Sequence, residues 1–307
     1  EHDSETTLRT ATLVWRDENN QDGIRPDTVT YTLHGSDGSE IEKTVSKDDS
    51  WADVMFEDLP VYQNGQKVTY TLTESTVAGY TTDIRDTGNT FTVTNTHIPA
   101  VVNVDVTKVW TDGENQDGNR PDSISVILTG NDGNRYTATI TAANNWKYTF
   151  SKLPKFFNEG TQIEYTLAED AASGYSNVIE KKDNYTFVLT NKYSPATVDI
   201  PVVKKWNDDN DRDGARPESV NIVLNDGKLY TGTLSAENGY TYVFQSVPKF
   251  HNSGTLISYT IAEEKVTGYT TEVAKDSSGY KFTLTNTKSI ETVTKTVSKV
   301  WEDSNNQ

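Results

Sequence analysis

Cysteine is absent from the 307 residues, and methionine occurs once. Without cysteine the fold has no disulfide and no thiolate metal ligand, so any covalent brace must be made from other side chains. No apolar run approaches the roughly 18 residues that a membrane-spanning helix needs. Residues 1–7 do not resemble a signal peptide. We therefore expect no membrane contact and interpret the sequence as an internal part of a mature chain.

Basic residues are also scarce in this sequence. Lysine and arginine number 28 against 45 aspartates and glutamates, which gives a formal net charge of −17. Nucleic acids and anionic membranes carry charge of the same sign, so a surface of this kind repels both. The many threonines, tyrosines and valines, together with the scarcity of methionine and cysteine, favour an extracellular β protein.

One sequence pattern occurs three times in full along the chain and begins a fourth time. Tryptophans recur about 95 residues apart, a spacing that marks a tandem array of one structural unit: Trp15, Trp110, Trp206 and Trp301. An Arg-Pro pair, a Tyr-Thr-Leu/Ile-x-Glu run, a Gly-Tyr turn and a closing Phe-x-Val/Leu-Thr-Asn run keep the same phase. The predicted divisions are repeat 1 at 5–98, repeat 2 at 99–194, repeat 3 at 195–289 and the truncated start of repeat 4 at 290–307.

Alternation of apolar and polar residues dominates each repeat and predicts short strands separated by Gly, Asn and Asp turns. The expected fold class is therefore all-β. About seven strands per repeat favour an immunoglobulin-like two-sheet sandwich over a barrel. The joints between repeats are too short for independent tumbling, so we expect three tandem sandwiches in a semi-rigid rod, followed by the first strand of a fourth. The order of the strands is not predicted.

Polar residues lie on strand faces that should point into the core. Residues two apart in a strand share a face, which puts Lys108, Glu169 and Asn191 of repeat 2 in line with apolar neighbours. Repeat 3 has the same residue types at the matching positions: Lys204, Glu263 and Asn286. A buried amine or carboxylate is costly unless it is paired, so the three members of each set should contact one another.

Two interpretations fit these trios. One is a buried Lys-Glu ion pair whose hydrogen bonds are completed by the amide. The other is a self-made cross-link, because burial lowers the pKa of an amine and raises that of a carboxylic acid until both neutral forms coexist. The amine can then attack the asparagine carbonyl while the acid shuttles protons, which releases ammonia and leaves an amide between side chains. Such a reaction needs no cofactor and no metal.

The segments "TKVW…NQDGNRP", "YTLAE" and "FVLTN" of repeat 2 resemble Cna protein B-type domains, the repeats of Gram-positive bacterial surface adhesins and pilins. The resemblance covers essentially the whole chain. It implies intramolecular isopeptide bonds, each promoted by a buried acid, and a role as the stalk of a wall-anchored protein. By matching position, the bonds would join Lys108 to Asn191 with the acid Glu169, and Lys204 to Asn286 with the acid Glu263.

Repeat 1 departs from this pattern. Leu13 stands where the other repeats have lysine, while Glu74 and Asn95 remain. Without the amine there is no nucleophile, so we expect a degenerate site and no bond from that strand. Lys43 is an alternative donor, although a lysine whose stem packs while its amine reaches solvent explains this residue more simply.

The sequence predicts a monomeric stalk at the bacterial cell surface, anchored to the cell wall in the full-length protein. Its expected partners are neighbouring repeats of the same chain, with host extracellular matrix bound through a region outside these residues. In the alternative, a face of the repeats itself binds a host matrix protein or glycan. No nucleophile elbow, Gly-rich phosphate loop or paired-carboxylate motif stands out, so we expect no enzyme that acts on another molecule.

The segment Asp209–Gly214, "DNDRDG", matches the opening of a calcium-binding loop. Its twelfth position is Val220 rather than glutamate, and no helical pattern flanks it. We interpret it as a turn held by its own Asp and Asn side chains, with weak calcium binding as the alternative. The four histidines occupy unrelated repeat positions and predict no shared metal site: His2, His34, His97 and His251.

Overall fold

The computed structural model describes residues 5–251, 253–289 and 292–302. Nearly all of its regular structure is β-strand, as the alternating pattern predicts, with one 3-10 helix at Ala142–Asn144. Among the helices in these ranges, none is long and apolar enough to cross a membrane.

Each repeat is built from nine strands in the same order. Repeat 1 contains β1 (Thr6–Arg16), β2 (Thr28–Gly35), β3 (Glu40–Ser46), β4 (Val54–Pro60), β5 (Tyr62–Gln63), β6 (Gln66–Lys67), β7 (Tyr70–Glu74), β8 (Thr81–Asp86) and β9 (Thr90–Thr96). Repeat 2 contains β10 (Val101–Thr111), β11 (Ser123–Gly130), β12 (Arg135–Thr141), β13 (Lys147–Pro154), β14 (Phe156–Phe157), β15 (Thr161–Gln162), β16 (Tyr165–Glu169), β17 (Ser176–Asp183) and β18 (Thr186–Lys192). Repeat 3 contains β19 (Thr197–Asn207), β20 (Ser219–Asn225), β21 (Leu229–Ser235), β22 (Thr241–Pro248), β23 (Phe250–His251), β24 (Thr255–Leu256), β25 (Thr260–Glu263), β26 (Thr270–Lys275) and β27 (Phe282–Thr287).

Seven of the nine strands form a two-sheet sandwich, which confirms the predicted immunoglobulin-like fold. The four-stranded sheets have the orders β4-β1-β9-β8, β13-β10-β18-β17 and β22-β19-β27-β26. The three-stranded sheets have the orders β3-β2-β7, β12-β11-β16 and β21-β20-β25. In repeats 1 and 3 the first and last strands are parallel neighbours. The other two strands of each repeat form a short hairpin that the sequence analysis missed.

The core lies between the two sheets, and the last strand of each repeat shows how alternation builds it. In β9, Phe91, Val93 and Asn95 are all buried and the residues between them are more exposed. Each large apolar side chain buried in this way contributes about 1.5 to 3 kcal/mol. The asparagine continues the same inward face, so its polar amide is held in the core, where it needs partners.

The chain divides by compactness into two units. The first holds repeat 1 and most of repeat 2, and the second holds repeat 3 with the segments Trp110–Pro121 and Gly174–Ser176 of repeat 2. The predicted repeat boundaries at 98, 194 and 289 stay a prediction.

In the first unit, Asp22 fastens the linker that leads into repeat 2. Its Oδ2 accepts hydrogen bonds from the backbone N–H of Ala100 at 2.8 Å and from His97 Nε2 at 2.9 Å. In the second unit, Asp117 Oδ2 accepts in the same way from the backbone N–H of Ala196 at 2.7 Å and from the Tyr193 hydroxyl at 2.9 Å. Neighbouring repeats of the chain are therefore joined by directed hydrogen bonds as well as by the peptide backbone.

The short hairpins take part in the same joints. The N–H of Gly160 in repeat 2 donates to the carbonyl of Gln21, and the N–H of Gly254 in repeat 3 donates to that of Gln116, both at 3.1 Å. Gly23 lies two residues after Gln21 and has φ +68°. A Cβ at this position would lie 2.4 Å from the backbone oxygen of Glu159 in the hairpin of repeat 2. Both the turn and the close approach therefore require glycine, which explains the Gln-Asp-Gly step of the sequence.

His97 has a hydrogen-bond acceptor on each side of its ring. Nε2 faces Asp22, and Nδ1 lies 2.9 Å from the carbonyl oxygen of Gly79, so only the doubly protonated ring donates to both. The hydrogen bond with Asp22 raises the pKa of His97 against the effect of burial, and Gly79 and the charge of Asp17 act in the same direction as Asp22. Because the folded pKa is raised, this stabilisation is fully present below the unfolded value of about 6.5 and is lost as the pH rises through the folded pKa.

We expect Asp22→Asn to lower the pKa of His97 toward its ordinary value, because the substitution removes the carboxylate that stabilises the imidazolium. An NMR titration of the ring protons measures this change. Asp117→Asn is the equivalent substitution at the next joint, where Tyr193 replaces histidine, and it should leave the titration of His97 unchanged. A His97 pKa that is the same in the wild type and in Asp22→Asn would contradict this account of the joint.

The predicted first strand of a fourth repeat is wrong for residues 292–302, which the structure describes without a strand. Residues 290, 291 and 303–307 of that predicted repeat lie outside the described residues. In repeat 1 the first strand β1 lies between β4 and β9, whereas residues 292–302 pair with no strand among the described residues. A strand without its partners leaves its backbone N–H and C=O groups unpaired.

Candidate functional site

Three strands assemble the predicted trio of repeat 3 at one end of the core. Lys204 lies on β19 and Asn286 on the parallel neighbour β27, where Trp206 is the register partner of Asn286 and Leu284 that of Lys204. The lysine and the asparagine therefore lie two positions apart on the same face of one sheet. Glu263 ends β25 in the opposite sheet and reaches them across the core.

In repeat 3 the glutamate contacts both other members of the trio. Glu263 forms an ion pair with Lys204 through Oε2 and accepts a hydrogen bond from Asn286 Nδ2 through Oε1 at 2.6 Å. The Lys204 and Glu263 side chains are only 0% and 1% exposed. Burial lowers the pKa of Lys204, and the hydrogen bond and charge of Glu263 oppose this effect. A lowered amine pKa increases the fraction of neutral amine, which is the nucleophilic form.

Repeat 2 brings its predicted trio together with a slightly different geometry. Lys108 Nζ lies 3.3 Å from Glu169 Oε1, and both side chains are 0% exposed. Asn191 Nδ2 donates to the same oxygen at 2.9 Å. The other oxygen, Oε2, accepts a hydrogen bond from Asn177 Nδ2 at 3.0 Å, a contact that the sequence analysis missed.

The asparagine carbonyl oxygens distinguish the repeats that have the lysine from the one that does not. Asn191 Oδ1 and Asn286 Oδ1 are buried and accept no hydrogen bond from the described residues. In repeat 1, Asn95 Oδ1 lies 2.7 Å from the hydroxyl of Thr82. A buried carbonyl without a partner costs about 1 to 3 kcal/mol, and Asn95 avoids this cost when the Thr82 hydroxyl donates to it rather than to Glu74.

The residues of repeat 1 that match the trio form a hydrogen-bond network without an amine. Leu13 packs against the core cluster in place of the lysine. Asn95 Nδ2 donates to Glu74 Oε1 at 2.8 Å, and the Thr82 hydroxyl lies 2.7 Å from Glu74 Oε2. The alternative donor Lys43 is exposed and donates to the backbone oxygen of Met55 at 2.6 Å, the arrangement expected when a lysine stem packs and its amine reaches the surface.

A second cluster, formed by an aspartate, an arginine and a tyrosine, recurs in each of the three repeats. The sequence analysis identified the Arg-Pro and Gly-Tyr landmarks that contain two of these residues, but it did not predict that they contact each other. In repeat 1, Arg25 donates to both oxygens of Asp17 at 2.6 and 2.7 Å, and the Tyr80 hydroxyl donates to Asp17 Oδ2 at 2.7 Å. The guanidinium also lies over the ring of Trp15, 5.2 Å from its centroid. The equivalent residues in the other repeats are Asp112, Arg120 and Tyr175, and Asp208, Arg216 and Tyr269.

This Asp-Arg-Tyr cluster explains why the Arg-Pro and Gly-Tyr landmarks keep phase with the tryptophan. In repeat 3, the hydrogen bond from Arg216 outweighs burial and lowers the pKa of Asp208 to about 2. The charged pair ties the loop after the first strand to the Gly-Tyr turn through the Tyr269 hydroxyl. An aspartate two residues after each of the three tryptophans was the signal that could have revealed the cluster from sequence.

The aspartates of the calcium-like loop are bound to protein donors. Asp211 Oδ1 accepts from the backbone N–H of Arg216 at 3.0 Å, and Asp209 pairs with Arg212 at 2.9 Å. Across the described ranges, no group of three or more His, Asp or Glu side chains could hold a metal ion. The loop has the form of a turn held by side-chain to backbone hydrogen bonds.

Comparison with known proteins shows that this repeated sandwich belongs to a class of domains that occur in tandem in surface proteins. The family of the Cna protein B-type domain matches residues 10–96, 104–192 and 200–287. The chain therefore belongs to the Cna protein B-type domain family. Collagen adhesin of Staphylococcus aureus is 38% identical over 309 residues, which covers 99% of this chain and 25% of the adhesin. The chain thus spans about a quarter of the length of this curated relative.

The fold is also similar to a solved structure. The crystal structure of two B repeat units of the collagen binding protein of Staphylococcus aureus has a TM-score of 0.55 and 36% sequence identity. The match covers 92% of this chain and 74% of that one. The sandwich fold is therefore shared with known B repeats.

Proposed function

We propose that this chain is a structural stalk of a bacterial surface adhesin, stiffened by self-catalysed Lys-Asn isopeptide bonds in repeats 2 and 3. The observation that carries the proposal is the buried Lys-Glu-Asn trio, which occurs at equivalent positions in both repeats and links the first strand to the last. Each trio brings together the amine, the carboxamide and the carboxyl group that a Lys-Asn cross-link requires.

The trio can form the bond without any other reactant. The neutral lysine amine attacks the asparagine side-chain carbonyl carbon, forming the Nζ–Cγ bond as the Cγ–Nδ2 bond breaks. The glutamate takes the proton that the amine loses and returns one to the departing nitrogen, which leaves as ammonia. The reaction involves no oxidation or reduction, and the fold holds the amine and the amide against the same carboxylate before the reaction.

The bond would sit where tension on the stalk acts. The first and last strands of repeat 3 are parallel neighbours, so a pull on the two ends of the repeat shears the hydrogen bonds between them. A covalent link between Lys204 and Asn286 would transmit that force directly from the first strand to the last, so the chain between these residues would not be stretched. By analogy with a disulfide that closes a loop of similar size, the bond removes about 4 to 5 kcal/mol of unfolded-state entropy.

We infer the position of the chain on the cell from its relatives. The adhesin it resembles is named for collagen, and we infer that the repeats here act as the spacer of an extracellular, wall-anchored protein whose ligand is bound elsewhere. Their hydrogen-bonded joints at Asp22 and Asp117 support a spacer, because they limit the freedom of one repeat relative to the next.

A binding assay tests the spacer role against direct adhesion. The 307-residue chain is passed over immobilised collagen and other matrix proteins, with the full-length Staphylococcus aureus collagen adhesin as the positive control. We expect no saturable binding by the chain. Saturable binding that persists at physiological salt would instead support the alternative, in which a face of the repeats is the adhesive surface.

A further inference from the structure

Two asparagines of the sequence are followed directly by glycine, Asn64 and Asn238. Asparagine is thermolabile, and it reacts most readily before glycine, because a residue without Cβ leaves its backbone nitrogen open to the asparagine side chain. That nitrogen attacks the side-chain carbonyl carbon, and ammonia leaves as a five-membered imide ring closes. Water then opens the ring at either carbonyl and yields aspartate or isoaspartate. The reaction needs no enzyme, so the local structure decides how fast each site reacts.

The first of these sites arises from the loop of the short hairpin in repeat 1. Strands β5 and β6 are joined by the two residues Asn64 and Gly65, whereas β14 and β15 of repeat 2 are joined by Asn158, Glu159 and Gly160. Without a middle residue, the glycine directly follows the asparagine. Both loop residues of repeat 1 have positive φ, +51° and +75°, as a two-residue hairpin turn requires.

The reacting groups of Asn64 are not held by the fold. Asn64 and Gly65 are both exposed. Within the described part of the chain, no hydrogen bond engages the side chain of Asn64 or the backbone N–H of Gly65. The β5–β6 ladder has only two residue pairs, so the tip of the hairpin opens locally at little cost in free energy. The side chain and the attacking nitrogen can therefore meet without first breaking a hydrogen bond of their own.

Asn238 is also exposed, but its reacting groups are held. Its Oδ1 accepts a hydrogen bond from the backbone N–H of Ser235, and its Nδ2 donates to the carbonyl of Thr233, both at 2.9 Å. The N–H of Gly239, the nitrogen that would attack, donates to the carbonyl of Ala236 at 3.1 Å. These hydrogen bonds must break before the imide ring can close, so the fold slows the reaction at this site.

We propose that Asn64 is a site of spontaneous deamidation in the folded chain, whereas the same dipeptide at Asn238 is protected. Deamidation gives the tip of the hairpin a negative charge in place of a neutral amide. The isoaspartate product also adds one carbon atom to the backbone, which the fixed geometry of a two-residue turn does not accommodate, so the β5–β6 pairing should be lost in that product. The modification is independent of the Lys-Asn bonds, because it involves no residue of either trio.

Ageing of the whole chain tests the proposal. The 307-residue protein is incubated at mildly alkaline pH, where the backbone nitrogen loses its proton more readily, and its peptides are quantified at intervals by mass spectrometry. Deamidation replaces ammonia by water, a small mass gain that is distinct from the ammonia loss of a cross-link. We expect Asn64 to convert at least about tenfold faster than Asn238, because each hydrogen bond that must break first slows the step by up to roughly this factor.

Two controls assign the difference to the local structure. In concentrated urea the two sites should react at similar rates, because the unfolded chain has none of the hydrogen bonds that hold Asn238. A glutamate inserted between Asn64 and Gly65 gives repeat 1 the Asn-Glu-Gly loop of repeat 2 and should stop deamidation at this site. Asn158 reports the rate for that loop in the same sample, and thermal unfolding shows whether the variant has folded.

Two results would overturn the proposal. Equal rates at Asn64 and Asn238 in the folded chain would show that hydrogen bonding does not control the reaction. Conversion of Asn64 only after unfolding would show that the turn itself protects the asparagine. The isopeptide proposal is tested separately by the ammonia loss of the two trios, so either proposal can fail without the other.

Discussion

A lysine placed at position 13 is expected to give the chain a third cross-link. Leu13 is the register partner of Val93, as Lys204 is of Leu284, so the first and last strands of repeats 1 and 3 are aligned identically. Leu13→Lys would therefore bring an amine to Asn95, with Glu74 already hydrogen-bonded to the asparagine at 2.8 Å. The intact mass of the variant should lie three ammonia molecules below its own calculated chain mass, one more than in the wild type, without any added enzyme.

The new bond should also raise the thermal stability of repeat 1, which we expect to be the least stable of the three repeats. As the repeat without a cross-link, it should unfold at a lower temperature than repeats 2 and 3, and the third bond should stabilise it by about 4 to 5 kcal/mol. Differential scanning calorimetry of the wild type and of Leu13→Lys measures this change.

Two controls separate the chemistry from the packing at position 13. Leu13→Met supplies a side chain of similar length without an amine, and Leu13→Lys combined with Glu74→Gln supplies the amine without the acid. Neither should lose the third ammonia molecule. A folded Leu13→Lys variant whose mass lies only two ammonia molecules below its own calculated chain mass would show that the strand register or the Thr82 network of repeat 1 prevents the reaction.

Glu169→Gln is expected to abolish the bond in repeat 2 and leave the bond in repeat 3 intact. Glutamine retains the shape of the side chain but cannot accept and return a proton, so the wild-type loss of two ammonia molecules should become one. The substitution also leaves a buried amine beside a neutral amide, and breaking a buried ion pair in this way costs about 3 to 5 kcal/mol. Repeat 2 should therefore become sensitive to proteolysis at temperatures where repeat 3 is resistant.

Glu164→Gln provides the matched control for that experiment. Glu164 is an exposed residue close to Glu169 in sequence and pairs with Lys181 at the surface, so its variant should still lose two ammonia molecules. If Glu169→Gln prevents folding, Glu263→Gln tests the same role in repeat 3. Retention of both ammonia losses in a folded Glu169→Gln variant would exclude Glu169 as the promoting acid.

Strand periodicity was sufficient to predict which side chains share the core of each repeat. A period of two fixes the face on which a residue lies, and this property put Lys108, Glu169 and Asn191 on inward faces before their contacts were known. The recurrence of the pattern also predicted that Leu13 would replace the amine in repeat 1. The buried ion pairs and hydrogen bonds of the structure are consistent with these placements.

Periodicity does not determine which strands are neighbours in a sheet. The features that the sequence did not predict depend on strand order or on loops. The parallel pairing of β19 with β27, which puts Lys204 beside Asn286, was not predicted. Two-residue strands such as β14 and β15 are too short to show alternation, so the hairpins that dock on the preceding repeat were missed. Arg25 returns to Asp17 through a loop, where residues follow no fixed period.

The mass of the intact chain tests the isopeptide proposal most directly. High-resolution mass spectrometry of the wild-type protein should give the calculated chain mass less two ammonia molecules. Proteolysis should then yield two branched peptides, one containing Lys108 and Asn191 and the other Lys204 and Asn286. A loss of three ammonia molecules would require another donor, such as Lys43, in repeat 1. An unmodified mass in a folded chain would contradict the account, because the buried trios would then be ion pairs completed by an amide.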